Sequence, residues 1–194
     1  QGDIQRVQRL LEETLPANIR AMPLHGQLSD AEQKAAIRPS DEFRKIILAT
    51  NIAESSLTID GVSIVIDSGL ERRMVFSPGN GVSELTTQGI SKASATQREG
   101  RAGRQAPGLC YRLWSEQDHQ GRKAHIQAEI AVSDLAPLQL ELLQWGASAD
   151  ELLWLTPPPA VHLQQAHDLL SQLGLTAEQQ LTEHGHRCAQ LGLE

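Results

Sequence analysis

KIILA (residues 45–49) and VSIVI (residues 62–66) are the stretches on which the fold turns. Both are short apolar runs. Such runs read as buried strands of a parallel sheet. Working outward, Ile4, Val7, Leu11 and Leu15 recur at helical spacing over residues 4–15, and residues 19–23 form a strand ending in Pro23. Ser29-x-x-Glu32 is a capping box that opens a helix stopping near Arg38-Pro39. Residues 73–76 and 82–86 flank Pro78-Gly79-Asn80-Gly81, a hairpin turn. Ser94-x-x-Gln97 predicts the cap of a further helix, and residues 108–114 (GLCYRLW) a last strand. Helices, strands and short loops alternate, which is the pattern of an open α/β domain.

The character changes downstream. Residues 134–145 read as a helix stopped by Gly146, and residues 150–155 as a short helical piece broken by Pro157-Pro158-Pro159. Val161, Leu163, Ala166, Leu169, Leu170 and Leu173 form an amphipathic stripe ending at Gly174. Leu181-Thr182 reads as a short strand entering a final helix. Three short helices with a small strand pair predict a winged helix.

Composition agrees with two units. The chain has 194 residues, 40% hydrophobic, with 17 basic and 24 acidic side chains and a net charge of −7. That length suits one ordinary domain plus a small one, and the hydrophobic fraction excludes general disorder. Residues 1–127 carry a net charge of +1, whereas residues 128–194 carry −8 with Arg187 as their one basic group. Residues 72–104 concentrate Arg72, Arg73, Lys92, Arg98, Arg101 and Arg104, so any contact with phosphate is expected there. No apolar run approaches the roughly 20 residues of a membrane span. Two cysteines, Cys110 and Cys188, make no disulfide framework, and no signal-peptide pattern is present, so the default compartment is the cytoplasm.

The chemistry concentrates in QREGRAGR, residues 97–104. On a helix, Gln97, Arg101 and Arg104 share one face, while Arg98 and Glu99 point elsewhere. Gly100 and Gly103 are poor helix formers, so something must approach the backbone closely. Guanidinium forks neutralise charge on a transferring phosphoryl group, and an amide can orient the attacking water. A solvated charged face is the other reading of the same residues.

QREGRAGR resembles motif VI of superfamily 2 helicases in its DEAH-box form. ATNIAESSLTIDGV (49–62) is similar to that family's motif V, and LHGQLS (24–29) resembles the segment that opens the second helicase lobe. PGLCYRLWSEQDH (107–119) resembles the bacterial HrpB-type branch. The resemblance covers the whole chain. It implies a RecA-like, open, mostly parallel sheet flanked by helices over residues 1–127, with a projecting β-hairpin at 73–86. A small, mainly α winged-helix domain would follow at 128–194. It further implies that Gln97 positions the attacking water and that Arg101 and Arg104 are arginine fingers. Thr58 and Asp60 would face the nucleotide, Asp60 towards the ribose. Thr50 and Asn51 would meet the nucleic-acid backbone, and His25 and Gly26 would lie beside the single strand. Residues that follow a buried strand sit where α/β folds place ligands, although an ordinary strand-end turn has the same sequence.

GxxxxGK[ST] and DEAH are both missing. The family keeps them on its first lobe, so ATP with Mg²⁺ would be held mainly by that absent lobe and the chain alone is not a complete catalyst. The expected partners are that first lobe and single-stranded or partly duplex RNA, with DNA as the alternative. Two rivals stand beside this reading: a non-catalytic nucleic-acid-binding or scaffold module, and a lobe completed in trans by a partner ATPase. The acidic second unit argues against groove binding and reads as a connector.

Weaker signals read as structure. His184, His186 and Cys188 are expected not to share a helix face, so no metal site is assigned. Cys110 reads as a small core residue, His162 and His167 as surface residues, and Trp114, Trp145 and Trp154 as core anchors.

Overall fold

The computed structural model describes residues 2–55, 57–77, 79 and 81–191. Ser56 of the motif V stretch, and Pro78 and Asn80 of the expected turn, lie outside the described residues. Two compact units emerge: Gln1–Glu71 with Gln88–Ile126, and Arg72–Thr87 with Gln127–Glu194.

In the first unit, helix α1 (Gly2–Glu12) precedes strand β1 (Ile19–Leu24), and helix α2 (Asp30–Ile37) leads into β2 (Arg44–Ala49). The expected capping box is formed: the Glu32 amide donates to the Ser29 hydroxyl, and the Ser29 amide to the Glu32 carboxylate. β1 and β2 pair in parallel, Leu24 opposite Ala49. A one-turn helix α3 (Ile52–Ser55) follows, then β3 (Ile64–Asp67). Strands β4 (Leu70–Ser77) and β5 (Val82–Gly89) form the hairpin, longer at both ends than the sequence indicates, and its Arg72–Thr87 stretch belongs to the second unit. Helix α4 (Lys92–Glu99), strand β6 (Leu109–Arg112) and helix α5 (Glu116–Gly121) complete the unit.

β3 pairs in parallel with β6, Val65 opposite Cys110. The expectation of strands buried on both faces fails here. Ile64 and Ile66 are 51% and 68% exposed, and Leu109 and Tyr111 are exposed beside them. α4 packs against β3, whose side chains alternate, so that Ile64 and Ile66 are exposed while Val65 and Asp67 are partly or fully buried. A second difference concerns α4. Its cap is Ser91, whose hydroxyl accepts from the Ser94 amide, so the helix begins three residues earlier than Ser94-x-x-Gln97 indicates. Ser94 is buried inside the first turn.

After β3 the chain turns through Gly69, with φ at +71°. The Gly69 amide donates to Asp67 Oδ1 at 2.9 Å, and its carbonyl accepts from the Ile90 amide and from Arg122 Nη1. Arg122 lies over the Trp114 ring, 4.4 Å from its centroid. A Cβ at position 69 would sit 2.5 Å from Trp114 Cε3 and 2.6 Å from Arg122 Nη2.

In the second unit, helices α6 (Ala136–Trp145), α7 (Ala160–Gln172) and α8 (Glu183–Leu191) pack around Leu135, Ala136, Ala166, Leu170 and Leu175. Strands β7 (Thr176–Ala177) and β8 (Gln180–Leu181) form a small antiparallel hairpin between α7 and α8. Gly146 ends α6 in the left-handed conformation, as its position predicts. The short helical piece is a single 3₁₀ turn, Ala149–Glu151. Within this unit Arg73 donates to the Gln127 carbonyl and the Phe76 amide to the Val132 carbonyl.

Several weaker readings need correction. Trp145 is 74% exposed rather than an anchor, whereas Trp154 is half-buried and donates to the Ala149 carbonyl. His162 and His167 are half-buried, and His162 meets Phe76 edge-on at 6.2 Å. The expectation that His184, His186 and Cys188 do not all share one face stands; only His184 and Cys188, one helical turn apart, meet, with the sulfur 3.9 Å from the ring nitrogens.

Two stability effects follow from backbone geometry. Gly69→Ala meets both a left-handed φ and an aromatic wall, and it should destabilise by about 2–4 kcal/mol, read as a lower urea midpoint. In the β7–β8 turn, Glu178 and Gln179 have φ of 49° and 64°. Replacing that pair by Asn-Gly should stabilise by about 1–2 kcal/mol, visible as a higher melting temperature.

Candidate functional site

α4 ends at Glu99, so residues 97–104 are not one continuous helix. Gly100 caps it, and the following turns tighten: the Arg101 amide donates to the Arg98 carbonyl and the Ala102 amide to the Glu99 carbonyl. Ala102 is buried and anchors this extension. The shared face predicted from helical spacing nevertheless survives. Gln97, Gly100, Arg101 and Arg104, with Glu54, line one open cavity of about 320 Å³.

The glycines divide their roles differently from the sequence reading. A Cβ at Gly103 would meet nothing within 4 Å, and one at Gly100 would make only ordinary contact with the Thr96 carbonyl. The close approach within the chain is at Gly108, where a Cβ would sit 2.2 Å from the Ala102 carbonyl oxygen. Gly100 and Gly103 thus leave their side of the backbone open.

Arg98, which sequence reasoning set aside, holds the site together. Its Nε donates to Glu54 Oε2 at 3.0 Å and its Nη1 to Asp67 Oδ1 at 2.9 Å. Nη1 also donates to the Leu70 carbonyl. Burial by itself would lower the Arg98 pKa, but its bonds to Glu54 and Asp67 outweigh that and raise it above the ordinary value. The basic stretch at 72–104 is therefore not one phosphate-facing surface: Arg98 is consumed internally, and Arg72 and Arg73 group with the second unit. Nothing in the spacing of Glu54, Asp67 and Arg98 along the sequence reveals this pairing.

Side chains of residues 98–105 fasten the loop after α3 at successive points. Arg101 Nη1 donates to the Leu57 carbonyl at 2.6 Å, and Nη2 to the Glu54 carbonyl. Arg104 Nη1 donates to Thr58 Oγ1 at 2.8 Å. Gln105 Nε2 donates to Asp60 Oδ1 at 2.8 Å. Thr58 is thus held by Arg104 and Asp60 by Gln105, while Gln97 is exposed at the cavity lip.

The arginines of this region fall into two kinds. Arg98 pairs with Glu54 and Asp67, and Arg112 with Glu99 at 2.8 Å. Among the described residues, Arg101 and Arg104 have no carboxylate partner and bond only neutral oxygens. Burial, and after it the charge of Arg104, hold the Arg101 guanidinium below its ordinary pKa. Two crowded cations facing an open cavity are a preformed site for an anion with several oxygens.

The remaining candidates meet at a different edge. Thr50 follows β2 and its amide donates to the Leu24 carbonyl at the end of β1. His25-Gly26 and Thr50-Asn51 therefore lie side by side at the carboxyl ends of two parallel strands, where open α/β sheets place ligands. His25 is half-buried, and its Nδ1 is enclosed without a partner among the described residues.

Residues 3–106 match the family described as the helicase conserved C-terminal domain. Over 193 residues the chain is 44% identical to the ATP-dependent RNA helicase HrpB of Escherichia coli K12, covering 98% of this chain and 24% of that protein. It is 37% identical over 196 residues to the human probable ATP-dependent RNA helicase DHX35, covering 98% and 28%. A crystal structure of the Escherichia coli DEAH/RHA helicase HrpB superposes with a TM-score of 0.95 at 43% identity, over all of this chain and 25% of that one. The chain thus spans about a quarter of the HrpB protein and as little as 10% of longer relatives.

The Arg98 clamp is open to a direct check. Arg98→Leu leaves Glu54 and Asp67 enclosed without their cation and should cost about 3–5 kcal/mol, while Arg98→Lys, lacking the fork, should lose part of that. Urea unfolding measures both; a leucine variant as stable as the parent would remove the clamp.

Proposed function

Because the chain belongs to the helicase conserved C-terminal domain family, we propose that it is the second RecA-like lobe, followed by a winged-helix domain at residues 128–194, of an ATP-dependent DEAH-box RNA helicase. The observation that carries this reading is the uncompensated pair Arg101 and Arg104 on the rim of an open cavity. Arg98 and Arg112, by contrast, are paired with carboxylates. A pair kept from carboxylates suits a triphosphate.

In this reading the first lobe of the same protein closes over the cavity and brings ATP with it. Gln97, exposed and amide-tipped, orients the attacking water. Arg101 and Arg104 take up charge that builds on the phosphoryl oxygens as the bond to the leaving phosphate breaks. Each guanidinium retains N–H donors beyond those already used on the loop, so phosphate can be engaged while the loop stays fastened. Thr58 and Asp60 face the nucleotide from that loop. Two cations on this wall suit phosphate and not a divalent metal, so the Mg²⁺ that accompanies ATP belongs to the opposite lobe and no step here runs through it.

Thr50, Asn51, His25 and Gly26 would hold the backbone of single-stranded or partly duplex RNA, for which the relatives are named. Because α3 links Thr50-Asn51 to Glu54, and Glu54 to Arg98, the two edges are mechanically continuous. ATP-driven closure would thereby be coupled to movement along the strand. The cytoplasm is the compartment this role implies.

In the full-length protein, Arg101→Ala and Arg104→Ala should each lower kcat for RNA-stimulated ATP hydrolysis on the order of 10³-fold or more, with circular dichroism unchanged. Near-normal turnover after either change would remove the finger assignment.

A further inference from the structure

Gln105 lies just past the QREGRAGR stretch, and its carboxamide is fully used on one turn. Nε2 donates to Asp60 Oδ1 at 2.8 Å, and Oε1 accepts from the Gly61 amide at 3.0 Å. One planar group therefore reads a side chain and a backbone amide on consecutive residues. Gly61 has φ at +76°, so the chain reverses there towards β3. Asp60 is exposed, and among the described residues its other oxygen, Oδ2, accepts no hydrogen bond.

This arrangement has a chemical consequence. A free aspartate must give up rotamer freedom when it accepts a ligand hydroxyl; one already held through Oδ1 does not. A neutral amide is also the right kind of holder. An arginine in its place would compete for the carboxylate with full positive charge, whereas the amide leaves Oδ2 a strong acceptor. We propose that Gln105 is a positioning residue: it presets the Asp60 carboxylate for a ribose hydroxyl and so contributes to discrimination between ribo- and deoxyribonucleotides. The proposal rests on the reading of Asp60 as the ribose-facing group. A turn staple acting only through Gly61 is the competing role, and the two hydrogen bonds can be separated.

The experiment uses the full-length protein and RNA-stimulated hydrolysis, with KM and kcat measured for ATP, 2′-deoxy-ATP and 3′-deoxy-ATP. Parent, Asp60→Ala, Gln105→Ala and Gln105→Glu are compared. The parent should prefer ATP over at least one deoxy analogue, and Asp60→Ala should erase that preference. Gln105→Ala should raise KM for ATP about three- to tenfold, the size of one lost hydrogen bond, with kcat changing much less. KM for the disfavoured analogue should stay put. Gln105→Glu keeps the acceptor for Gly61 but faces Asp60 with a second carboxylate, so it should lose at least as much as the alanine variant. A glutamate variant with parental KM assigns the effect to the Gly61 bond and overturns the proposal, as does an alanine variant with parental KM. If Asp60→Ala retains the parental preference, the ribose reading of Asp60 itself falls, and Gln105 with it.

Discussion

Arg98 bridges Glu54 and Asp67, and most of the first unit's geometry passes through that bridge. Enclosing a guanidinium with two carboxylates is expensive unless every group finds partners, and here most do. Asp67 Oδ1 also accepts from the Gly69 amide, Gly69 receives Arg122, and Arg122 lies over Trp114. A single run of polar contacts thus ties α3, the end of β3, the following turn, α4 and the end of α5. Asp67 Oδ2 is enclosed without a partner among the described residues, which leaves the carboxylate committed to Arg98 and Gly69.

The clamp has a chemical effect as well as a mechanical one. Arg98 engages both Glu54 and Asp67 directly, so neither carboxylate forms an ion pair with Arg101 or Arg104 among the described residues. The cavity wall therefore stays cationic although acidic residues stand close by. Crowding of like charge is tolerated because the surrounding loop supplies neutral oxygens from Leu57, Glu54 and Thr58. A wall of that kind is unsatisfied until an anion arrives, which is why it points to phosphate chemistry more strongly than a count of arginines does.

The exposed apolar face of the β3–β6 ladder shows the limit of reading burial from composition. VSIVI has the hydrophobicity of a strand covered on both sides, yet its Ile64 and Ile66 are open to solvent. Hydrophobicity records what a strand can be covered by; whether a covering layer is present depends on the rest of the assembly. Trp145 repeats the lesson on α6, where an aromatic that reads as an anchor stands exposed.

From the sequence alone came the alternating α/β order, the parallel pairing, the Ser29–Glu32 cap, the glycine stops of α6 and α7, and the common direction of Gln97, Arg101 and Arg104. Apart from the parallel pairing, which follows from the alternating pattern as a whole, these depend on periodicity and local backbone preference, which act over a few residues and so are written in the chain. The tertiary structure decided the rest: that α4 is capped by Ser91, that Gly108 and not Gly103 makes the tight approach, that Arg98 closes on Glu54 and Asp67, and that Gln105 holds Asp60. The Arg98 and Gln105 contacts join segments brought together only by folding, across 31 to 45 positions of sequence. No local preference specifies such a pairing, because its free energy exists only once the sheet has placed both partners within reach.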